Sequence, residues 1–374
     1  MNTRLIIASA LLFGLSTATH AQTLGDFKPK EDRGALGPRK FPSKDIYIAN
    51  FSVNYQVFNY RKVSSKGGQG LMGGVIGKTQ AELAVGLDIP ATTIQQITND
   101  AYAKFVNELK AKGFNVLPGD AAKNIDYYKA YERHQGLEMS SAEAAGFLTA
   151  YPSDAVFYVK GFDKSGKKKD GVGLGTFQWK SEVERFNTIS SQLNDAAIID
   201  VNLYILFMND EEQGGKFGGR SGLTAKTNLI LAADEGMKSR VATNTDKSKW
   251  TNKVGLTAPG SKEVIVDCES KIHFIAGKNK IGGSPLGTYV GALKRDLEIE
   301  GVINEEKIVT EVEADYDNWG TSTAFGRLYT AENRSAKDAA LIRADAGKYQ
   351  QGVELALTTF LKHHVQEFKD KFFD

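Results

Sequence analysis

The chain has 374 residues, of which 41% are hydrophobic and 25% are charged. This is an ordinary globular composition, and the length is sufficient for one large or two medium domains. The formal net charge of +2 excludes the strongly basic surface on which nucleic-acid binding depends, so we expect no nucleic-acid partner.

The first residues have the three parts of a secretory signal peptide. Arg4 gives a positive start, residues 5–15 form an uncharged apolar run, and Thr19 and Ala21 are the small residues that a signal peptidase reads. The apolar run is shorter than the roughly 20 residues that cross a bilayer as a helix. We therefore expect cleavage before Gln22 and a mature chain in the periplasm, associated there with the cell envelope.

Cys268 is the only cysteine of the chain. A single cysteine excludes an internal disulfide, and this usage suits an oxidising compartment. Because no cysteine follows the signal peptide, we expect no N-terminal lipid anchor, and no other segment is apolar enough to predict a transmembrane helix. The run VIVDCESKIHFIAG predicts a strand with Cys268 buried in it; a reactive or intermolecularly paired thiol is the alternative.

The mature chain begins with a polar, proline-containing stretch, which predicts a flexible leader. The first strand is expected in DIYIANFSVNYQVFNY, where β-branched and aromatic residues dominate. The alternation of apolar positions slips between Ile48 and Phe51. Such a slip indicates either a β-bulge or burial on both faces of the strand.

The clearest helix pattern follows Pro90, over about residues 92–112. Thr92 with Gln95, or Thr93 with Gln96, fits a capping box at its start. The apolar residues recur at helical spacing, which predicts one buried face. They are Ile94, Ile97, Ala101, Phe105 and Leu109.

Gly113 is expected to end this helix in a left-handed conformation, and FNVLP predicts a second strand. Two shorter helices are predicted next, over about residues 121–134 and 140–149. The apolar runs AVFYVKGF and AAIIDVNLYILFMND then predict two buried strands. Asp200 and Asn202 lie inside the second of these, on a face whose neighbours are polar or small.

From about residue 264 to residue 330 strand patterns dominate, and residues 335–372 predict a long C-terminal helix with two apolar lines. The first line is Ile342, Ala346, Tyr349, Val353, Ala356 and Phe360. The second is Leu361, Val365, Phe368 and Phe372. The second line indicates either contact with another subunit of a homo-oligomer or a helix sandwiched within its own chain.

These patterns predict an α/β (α+β) fold in which helices pack on a mixed sheet. We divide the chain into a signal peptide (1–21), a flexible leader (22–44), an α/β core (45–240), a β-rich region (241–334) and a C-terminal helix that packs on the core (335–374).

Glycine, serine and histidine patterns point to no catalytic site. Gly68, Gly70 and Gly73 match GxGxxG, but no helix follows at once, as a dinucleotide site requires. No GxSxG serine elbow is present. His363 and His364 cannot both face one way on a helix, which argues against a metal pair. We therefore predict no catalytic residue and no cofactor.

One acidic row is a candidate metal site. On a strand, Glu311, Glu313, Asp315 and Asp317 point to the same face. Calcium prefers several oxygen ligands, so this row is a calcium candidate. The same alternation is also expected of any strand that is exposed on one face.

Over about half of the chain, from Asp45 to Asp210, the order of elements resembles the curli-secretion-channel (CsgG-like) family and its soluble periplasmic relatives. The resemblance is carried by a strand, a helix ending in LKAKGFNVLP, the strand AVFYVKGF, the run GVGLG and the strand DAAIIDVNLYILFMND. Within the last, DVNLYIL is similar to an AVNLRVV-like run of the family. The resemblance implies a CsgG-like core and an envelope location.

Two departures bear on what that resemblance implies for function. The secretion pore of the family is anchored through an N-terminal cysteine that this chain lacks. Tyr55, Asn59 and Tyr60 repeat the spacing of the channel constriction, but they lie too close to the first strand for the role to be carried over. The resemblance therefore implies a fold and a compartment rather than a pore.

Three functions remain open at this point. The first is a non-catalytic exported envelope protein, a binding or assembly component that forms a homo-oligomer or docks on an envelope partner. The second is a periplasmic enzyme, a metal-assisted hydrolase that uses the acidic row. The third is an outer-membrane pore component. The absence of a catalytic motif favours the first.

Overall fold

The computed structural model describes residues 23–32, 40–65, 79–139, 146–160, 183–209, 224–242, 261–303, 307–309, 321–323, 326–328 and 340–374. The described helices are α1 (Ala91–Ala111), α2 (Phe186–Gln192) and α3 (Ala346–Phe372), with 3-10 turns at Gly119–Ala122 and Asp126–Tyr128. Strands and helices are mixed along the chain, so the predicted α/β (α+β) class is confirmed. Within the described ranges, no helix is long and apolar enough to cross a membrane.

The strands are numbered in chain order. They are β1 (Pro29–Glu31), β2 (Asp45–Gln56), β3 (Phe58–Ser65), β4 (Thr79–Asp88), β5 (Asn115–Val116), β6 (Glu132–Gln135), β7 (Phe147–Ala150), β8 (Val156–Val159), β9 (Ala197–Asn209), β10 (Thr224–Leu231), β11 (Glu235–Ala242), β12 (Ser261–Cys268), β13 (Lys271–Ala276), β14 (Gly287–Leu293), β15 (Leu297–Glu298), β16 (Lys307–Val309), β17 (Thr321–Thr323), β18 (Gly326–Leu328) and β19 (Ala340–Arg343).

Strand β9 is the centre of a mixed ten-stranded sheet. Its one edge pairs in parallel with β2, and its other edge pairs antiparallel with β13 along the first half and with β10 along the second. β5 and β7 extend the sheet beyond β2, β14 and β1 beyond β13, and β15 and β16 beyond β10. Strands from before residue 60 and after residue 270 therefore belong to the same sheet.

Four smaller groups of strands complete the described structure. β3, β4 and β19 form a three-stranded sheet, and β6–β8, β11–β12 and β17–β18 form two-stranded ones. Cys268, at the end of β12, is fully buried, as its strand-like surroundings predicted.

A bulge in β2 changes which residues face each side of the sheet. Ile48 pairs with Ile199, and Asn50 pairs with Asp200, so Ala49 is one residue in excess. The predicted bulge is confirmed, and both faces of β2 are also buried. After the bulge, odd-numbered residues such as Phe51 pack under the helices and even-numbered residues point to the opposite face.

Helix α1 matches its predicted range and its predicted buried face. Its buried residues include all five predicted positions: Ile94, Ile97, Ala101, Phe105 and Leu109. The helix ends as expected, with Gly113 at a φ of 84°. The N–H of Phe114 then donates to the carbonyl of Leu109 at 3.1 Å, which satisfies a free acceptor of the last turn.

The predicted capping box of α1 is wrong. The helix begins at Ala91 after an extended Pro90, and no side chain caps it. Thr92 and Thr93 therefore lie inside the first turn rather than before it. The Gln95 side chain donates instead to the carbonyl of Tyr151, at 2.7 Å, and so serves a tertiary contact.

The two short helices predicted after α1 are also wrong. Residues 119–128 form two 3-10 turns and residues 132–135 form β6. The buried residues Ala122, Ile125 and Tyr128 recur at steps of three, the period of a 3-10 helix, and Tyr128 stacks on Tyr158. For the second predicted helix, residues 140–145 lie outside the described ranges. Residues 147–150 form β7, which pairs antiparallel with the free edge of β2.

The C-terminal helix is shorter than predicted. Residues 335–339 lie outside the described ranges, and residues 340–343 form β19, parallel to β4, so that Ile342 is buried on a strand. The helix starts only at Ala346, because the Asp345 carboxylate accepts a hydrogen bond from the N–H of Lys348 at 2.9 Å. An aspartate in this position is a strong helix start.

Helices α1 and α3 cover one face of the main sheet. The two apolar lines of α3 face this layer and most of their residues are buried, while Ala346 and Phe372 are partly exposed. Phe368 of the second line stacks on Phe274 of β13 at 4.1 Å between ring centroids. Phe368 also contacts the rings of Phe41 and Phe114. The second apolar line is thus sandwiched within its own chain and gives no reason to invoke another subunit.

His364 holds α3 against β14. Its Nδ1 lies 2.8 Å from the Tyr289 hydroxyl and its Nε2 lies 3.2 Å from the Ala292 carbonyl. The ring packs over Gly291, where a Cβ would lie 2.4 Å from it. His363 faces elsewhere, with its ring edge against Phe27. Burial, followed by the neighbouring His363, lowers the pKa of His364 to about 3.

Replacing Phe105 by alanine should destabilise the protein by about 3–5 kcal/mol, because the ring is buried against Phe51. Urea unfolding followed by circular dichroism measures this change. Leu355→Ala is the control, since Leu355 is 41% exposed on α3 and should change stability by less than about 1 kcal/mol. Equal melting temperatures for Phe105→Ala and the wild type would contradict the placement of α1.

Stability should fall with acid in a way that depends on His364. The folded pKa of about 3 lies below the ordinary 6.5, so below pH 6.5 the unfolded chain binds a proton that the folded chain excludes. The stability that neutral His364 gives is complete above pH 6.5 and should decline by about 1.4 kcal/mol per pH unit as acid is added. Urea unfolding between pH 7 and pH 4.5 should show this extra slope relative to His364→Gln. Parallel profiles for the two proteins would refute it.

Candidate functional site

A row of polar side chains lies on the sheet face opposite α1 and α3. We call it the polar face; it comprises Asn50, Ser52, Asn54 and Gln56 of β2, Thr149 of β7, Asp200 and Asn202 of β9, and Lys271 and His273 of β13. The bulge at Ala49 creates this row, because without the extra residue the even-numbered side chains of β2 would point under the helices. Helix α2 covers this face of the sheet near the start of β2 and β9, where Ile189 packs with Tyr47 and Ile198.

The side chains of β2 bind those of β9 and β7 in a continuous chain of hydrogen bonds. The Thr149 hydroxyl donates to Asn54 Oδ1 at 2.7 Å, and the Asn54 side-chain amide donates to Asn202 Oδ1, also at 2.7 Å. Ser52 donates to the same oxygen at 3.1 Å. Asn50 in turn donates to Ser52 at 3.2 Å. The cost of burying these polar groups is offset in this way for every group of the network except Asn50 Oδ1, which is buried without a hydrogen-bond partner.

The chain of hydrogen bonds ends at an aspartate and a histidine. Asn50 Nδ2 donates to Asp200 Oδ1 at 2.8 Å, and Asp200 Oδ2 lies 3.1 Å from His273 Nδ1. The Asp200 side chain is 4% exposed and that of His273 is 19% exposed. The buried carboxylate thus fixes the orientation of a partly exposed imidazole.

Lys271 lies beside this pair, between two further carboxylates. Its Nζ is 3.0 Å from Asp32 Oδ2 and 2.7 Å from Glu269 Oε2. The hydrogen bond from Lys271 holds the pKa of the Asp32 carboxyl below its usual value. The open end of the polar face therefore carries charges of both signs that are already paired with each other.

Gln56 closes the other end of the polar face. Its Oε1 accepts the backbone N–H groups of Phe207 and Met208, at 3.1 and 3.2 Å. The pairing of β9 with β10 slips next to these residues, between Thr227 and Ile230. The side chain of Gln56 thus supplies an acceptor where the regular ladder is interrupted.

A carboxylate–histidine pair can orient an imidazole as a general base. A hydrolase of that kind also needs a nucleophile or a metal-bound water. Across the described ranges, no hydroxyl or thiol forms a hydrogen bond with His273, and no group of three or more His, Cys, Asp and Glu side chains is placed to hold a metal ion.

The predicted calcium candidate cannot be placed. Glu311, Glu313, Asp315 and Asp317 all lie outside the described residues, so this site stays a prediction. Of the residues that repeat the channel-constriction spacing, Tyr55 is buried and shares a hydrogen bond of 3.0 Å with Thr98. Asn59 is buried as well.

The sequence identified Asp200 and Asn202 as polar residues inside an apolar strand, but it did not identify their partners. Asn50, Ser52 and Asn54 follow one another at every second position, which is a pattern of one strand face. That pattern and the slip before Phe51 were the available signals. His273, some 73 positions from Asp200, carried no signal at all.

A separate groove runs along the exposed side of α1, and we call it the α1 groove. Its volume is about 490 Å³. It is lined by Asn99, Tyr102, Ala103, Val106, Asn107 and Lys110 of α1, by residues 116–119, and by Pro152 and Asp154. One wall of the groove is a stripe of α1. The opposite wall is formed by residues 116–119 together with Pro152 and Asp154.

Hydrogen bonds fix both walls of the α1 groove. The Asn99 side chain accepts the N–H of Ser153 at 2.9 Å, which holds residues 151–154 to the helix. β5 pairs with β2, which fixes residues 115–117 on the other side. Asp154 therefore lies at the Asn99 end of the groove. Lys110 lies eleven residues further along α1, about 16 Å away at 1.5 Å per residue.

Replacing Asp200 by alanine should destabilise the protein by about 3 kcal/mol, because it removes the carboxylate partner of His273 and the shortest of the three hydrogen bonds that the Asn50 amide donates. Chemical unfolding at pH 7 measures the loss. Asp126→Ala is the matched control, since Asp126 forms an exposed ion pair with Lys129 that should contribute less than about 1 kcal/mol. If both variants have wild-type stability, the polar face does not support the sheet.

Comparison with known proteins adds no identity to these features. No protein-family model matches the chain, and neither a curated protein nor a solved structure is found to be similar to it. The resemblance to the curli-secretion-channel family accordingly stays a prediction, and function has to be argued from the polar face and the α1 groove.

Proposed function

We propose that this protein is a non-catalytic binding or assembly component of the cell envelope, and that a partner chain docks in the α1 groove. The envelope location rests on the predicted signal peptide. The binding role rests on one observation, which is a preformed groove that is lined by apolar and amide side chains and has a charged residue of opposite sign near each end.

The size and lining of the α1 groove suit a short segment of protein. Ligand sites have volumes of about 300–1,000 Å³ and combine apolar walls with a few polar groups that set orientation. Tyr102, Val106, Leu117 and Pro118 give the apolar part. At about 3.3 Å per residue, an extended segment of five residues covers the roughly 16 Å between the charged ends.

Charge sets the direction of the bound segment. Lys110 favours an acidic group at one end and Asp154 favours a basic group at the other. Both side chains belong to exposed residues, so their contribution is to orientation and specificity more than to affinity. The occupant is therefore an extended segment of an envelope protein, apolar in its middle and oppositely charged at its two ends.

The geometry of the polar face supports a structural role rather than a catalytic one. The donors of the β2 side chains bind other residues of the sheet: Asn50 donates to Ser52, and both Ser52 and Asn54 donate to Asn202 of β9. A buried hydrogen-bond network of this kind helps to fix the register of neighbouring strands. Its residues rigidify the sheet on which the α1 groove is built.

A hydrolase is the second candidate, and the Asp200–His273 pair is the observation that favours it. Activity would need a nucleophile or a metal from residues beyond the described ranges, such as the predicted acidic row. Loss of a hydrolytic activity in His273→Ala, with stability retained, would favour this function over the first.

Photo-crosslinking in cells tests the binding role. A crosslinking amino acid at Val106 should yield one adduct with an envelope protein. Lys110→Glu should reduce that adduct about tenfold, because an attraction becomes a repulsion of similar size. Lys294→Glu is the control, since Lys294 is an exposed lysine directly after β14 and does not line the groove.

Rescue makes this experiment specific for the proposed orientation. A partner segment in which the acidic end is changed to a basic one should restore the adduct with Lys110→Glu. Asp154→Lys should be rescued only by the opposite change. An adduct that forms equally in wild type, Lys110→Glu and Asp154→Lys would refute docking in the α1 groove.

A further inference from the structure

The loop between β13 and β14, residues 277–286, presents an isoleucine to solvent. Ile281 is 92% exposed, whereas Leu341 and Leu355, the other large apolar residues that are exposed within the described ranges, reach 42% and 41%. Single exposed apolar residues are common on protein surfaces. A side chain that is almost wholly in water suggests a binding role only if the surrounding loop holds it in one position.

The loop fixes that position from within. Gly282 and Gly283 have φ values of 79° and 69°, a conformation that glycine adopts without strain. The N–H of Asn279 donates to the Ser284 carbonyl at 2.8 Å, and its side-chain amide donates to Ser284 Oγ at 2.8 Å. Ile281 therefore stands at the tip of a closed turn.

Contacts outside the loop hold the turn against the rest of the protein. Asn187 of α2 donates to the Gly283 carbonyl, and Lys278 Nζ lies 3.2 Å from Thr188 Oγ1. At the base, the N–H of Lys40 donates to the Leu286 carbonyl at 3.0 Å. The tip thus projects from a rigid support, which lowers the entropy cost of binding through it.

The charged residues beside Ile281 in the sequence of the loop have one sign. Lys278 and Lys280 flank it in the sequence, and residues 277–286 contain no aspartate or glutamate. Both lysines are exposed, and so is Lys40 at the base of the loop. One apolar side chain among cations is the arrangement by which peripheral proteins enter the interface of a membrane that carries negative charge.

We propose that this loop docks on the surface of a bilayer that contains anionic phospholipid, with Ile281 inserted at the headgroup boundary and the lysines among the phosphates. A protein partner would need an apolar area much wider than one side chain, whereas a bilayer accepts a single side chain at any point. The loop is separate from the α1 groove, so this membrane contact goes beyond the proposed docking of a partner chain.

Vesicle sedimentation tests the membrane contact. The purified mature chain is mixed with extruded vesicles of phosphatidylglycerol and phosphatidylcholine in equal parts, or of phosphatidylcholine alone. We expect binding to the anionic vesicles, at least about tenfold stronger than to the neutral ones and weakened by salt. Ile281→Ser should reduce the partition coefficient by about tenfold, because it removes most of the inserted apolar surface.

Matched variants separate the loop from the rest of the surface. Leu355→Ser removes an exposed apolar residue from α3 and should bind anionic vesicles like the wild type. Lys278→Gln combined with Lys280→Gln should lose the preference for phosphatidylglycerol. Lys110→Glu, which tests the α1 groove, should keep at least half of the vesicle binding, so the two proposals fail independently.

Three results would overturn the membrane contact. They are no binding of the wild type to anionic vesicles, equal binding of wild type and Ile281→Ser, and equal binding to neutral and anionic vesicles. Because Ile281 is exposed, Ile281→Ser should retain the wild-type circular dichroism spectrum and melting temperature, which confirms that any loss of binding is local.

Discussion

The extra residue at Ala49 is the constraint on which the two faces of the sheet depend. Before it, even-numbered side chains of β2 lie under the helices, and after it odd-numbered ones do. A strand with unbroken alternation would send Asn50, Ser52 and Asn54 into the apolar layer beneath α1, at a cost of several kcal/mol in unpaired polar groups. One backbone irregularity therefore keeps the helix layer apolar and the opposite face polar.

The helix layer is closed by the last element of the chain. Phe368 lies among rings from three separate parts of the sequence, at Phe41, Phe114 and Phe274. His364 adds two hydrogen bonds to β14 within the same layer. A neutral buried imidazole in this position combines a directional contact with apolar packing. The C-terminal helix thus connects strands β13 and β14 of the main sheet to Phe41 of the leader and to Phe114 after α1.

Features with a local cause were predictable from the sequence. The buried face of α1 follows from helical spacing, its end from Gly113, and the bulge from the slip before Phe51. Predictions failed where a distant partner decides the structure. The sequence of residues 147–150 predicts a helix, but these residues form β7, because they pair antiparallel with the edge of β2 that β9 does not occupy. Gln95 lies in a sequence that predicts a capping box, yet its side-chain amide donates to the backbone carbonyl of Tyr151.

The candidate sites were less predictable than the fold for the same reason. Asn50 and Asp200 stand 150 positions apart, and no periodicity connects them. The α1 groove depends on the path of residues 116–119 past the helix, which no spacing within α1 reveals. Only the polar residues within each strand could be recognised, and their assembly into one network could not.

The parallel pairing of β2 with β9 has a consequence for the order of folding. β2 can find its central neighbour only after about 150 further residues have been made, and β13, β14 and α3 are added later still. Contacts this distant in sequence give a high contact order, and such topologies fold slowly. Before β9 is made, α1 is the first helix available to cover the apolar residues of β2, and β5 and β7 become available to pair with β2 later. Helix α1, the first described helix after β2, is thus the first helix that can bury the apolar residues of β2 before the main sheet has formed.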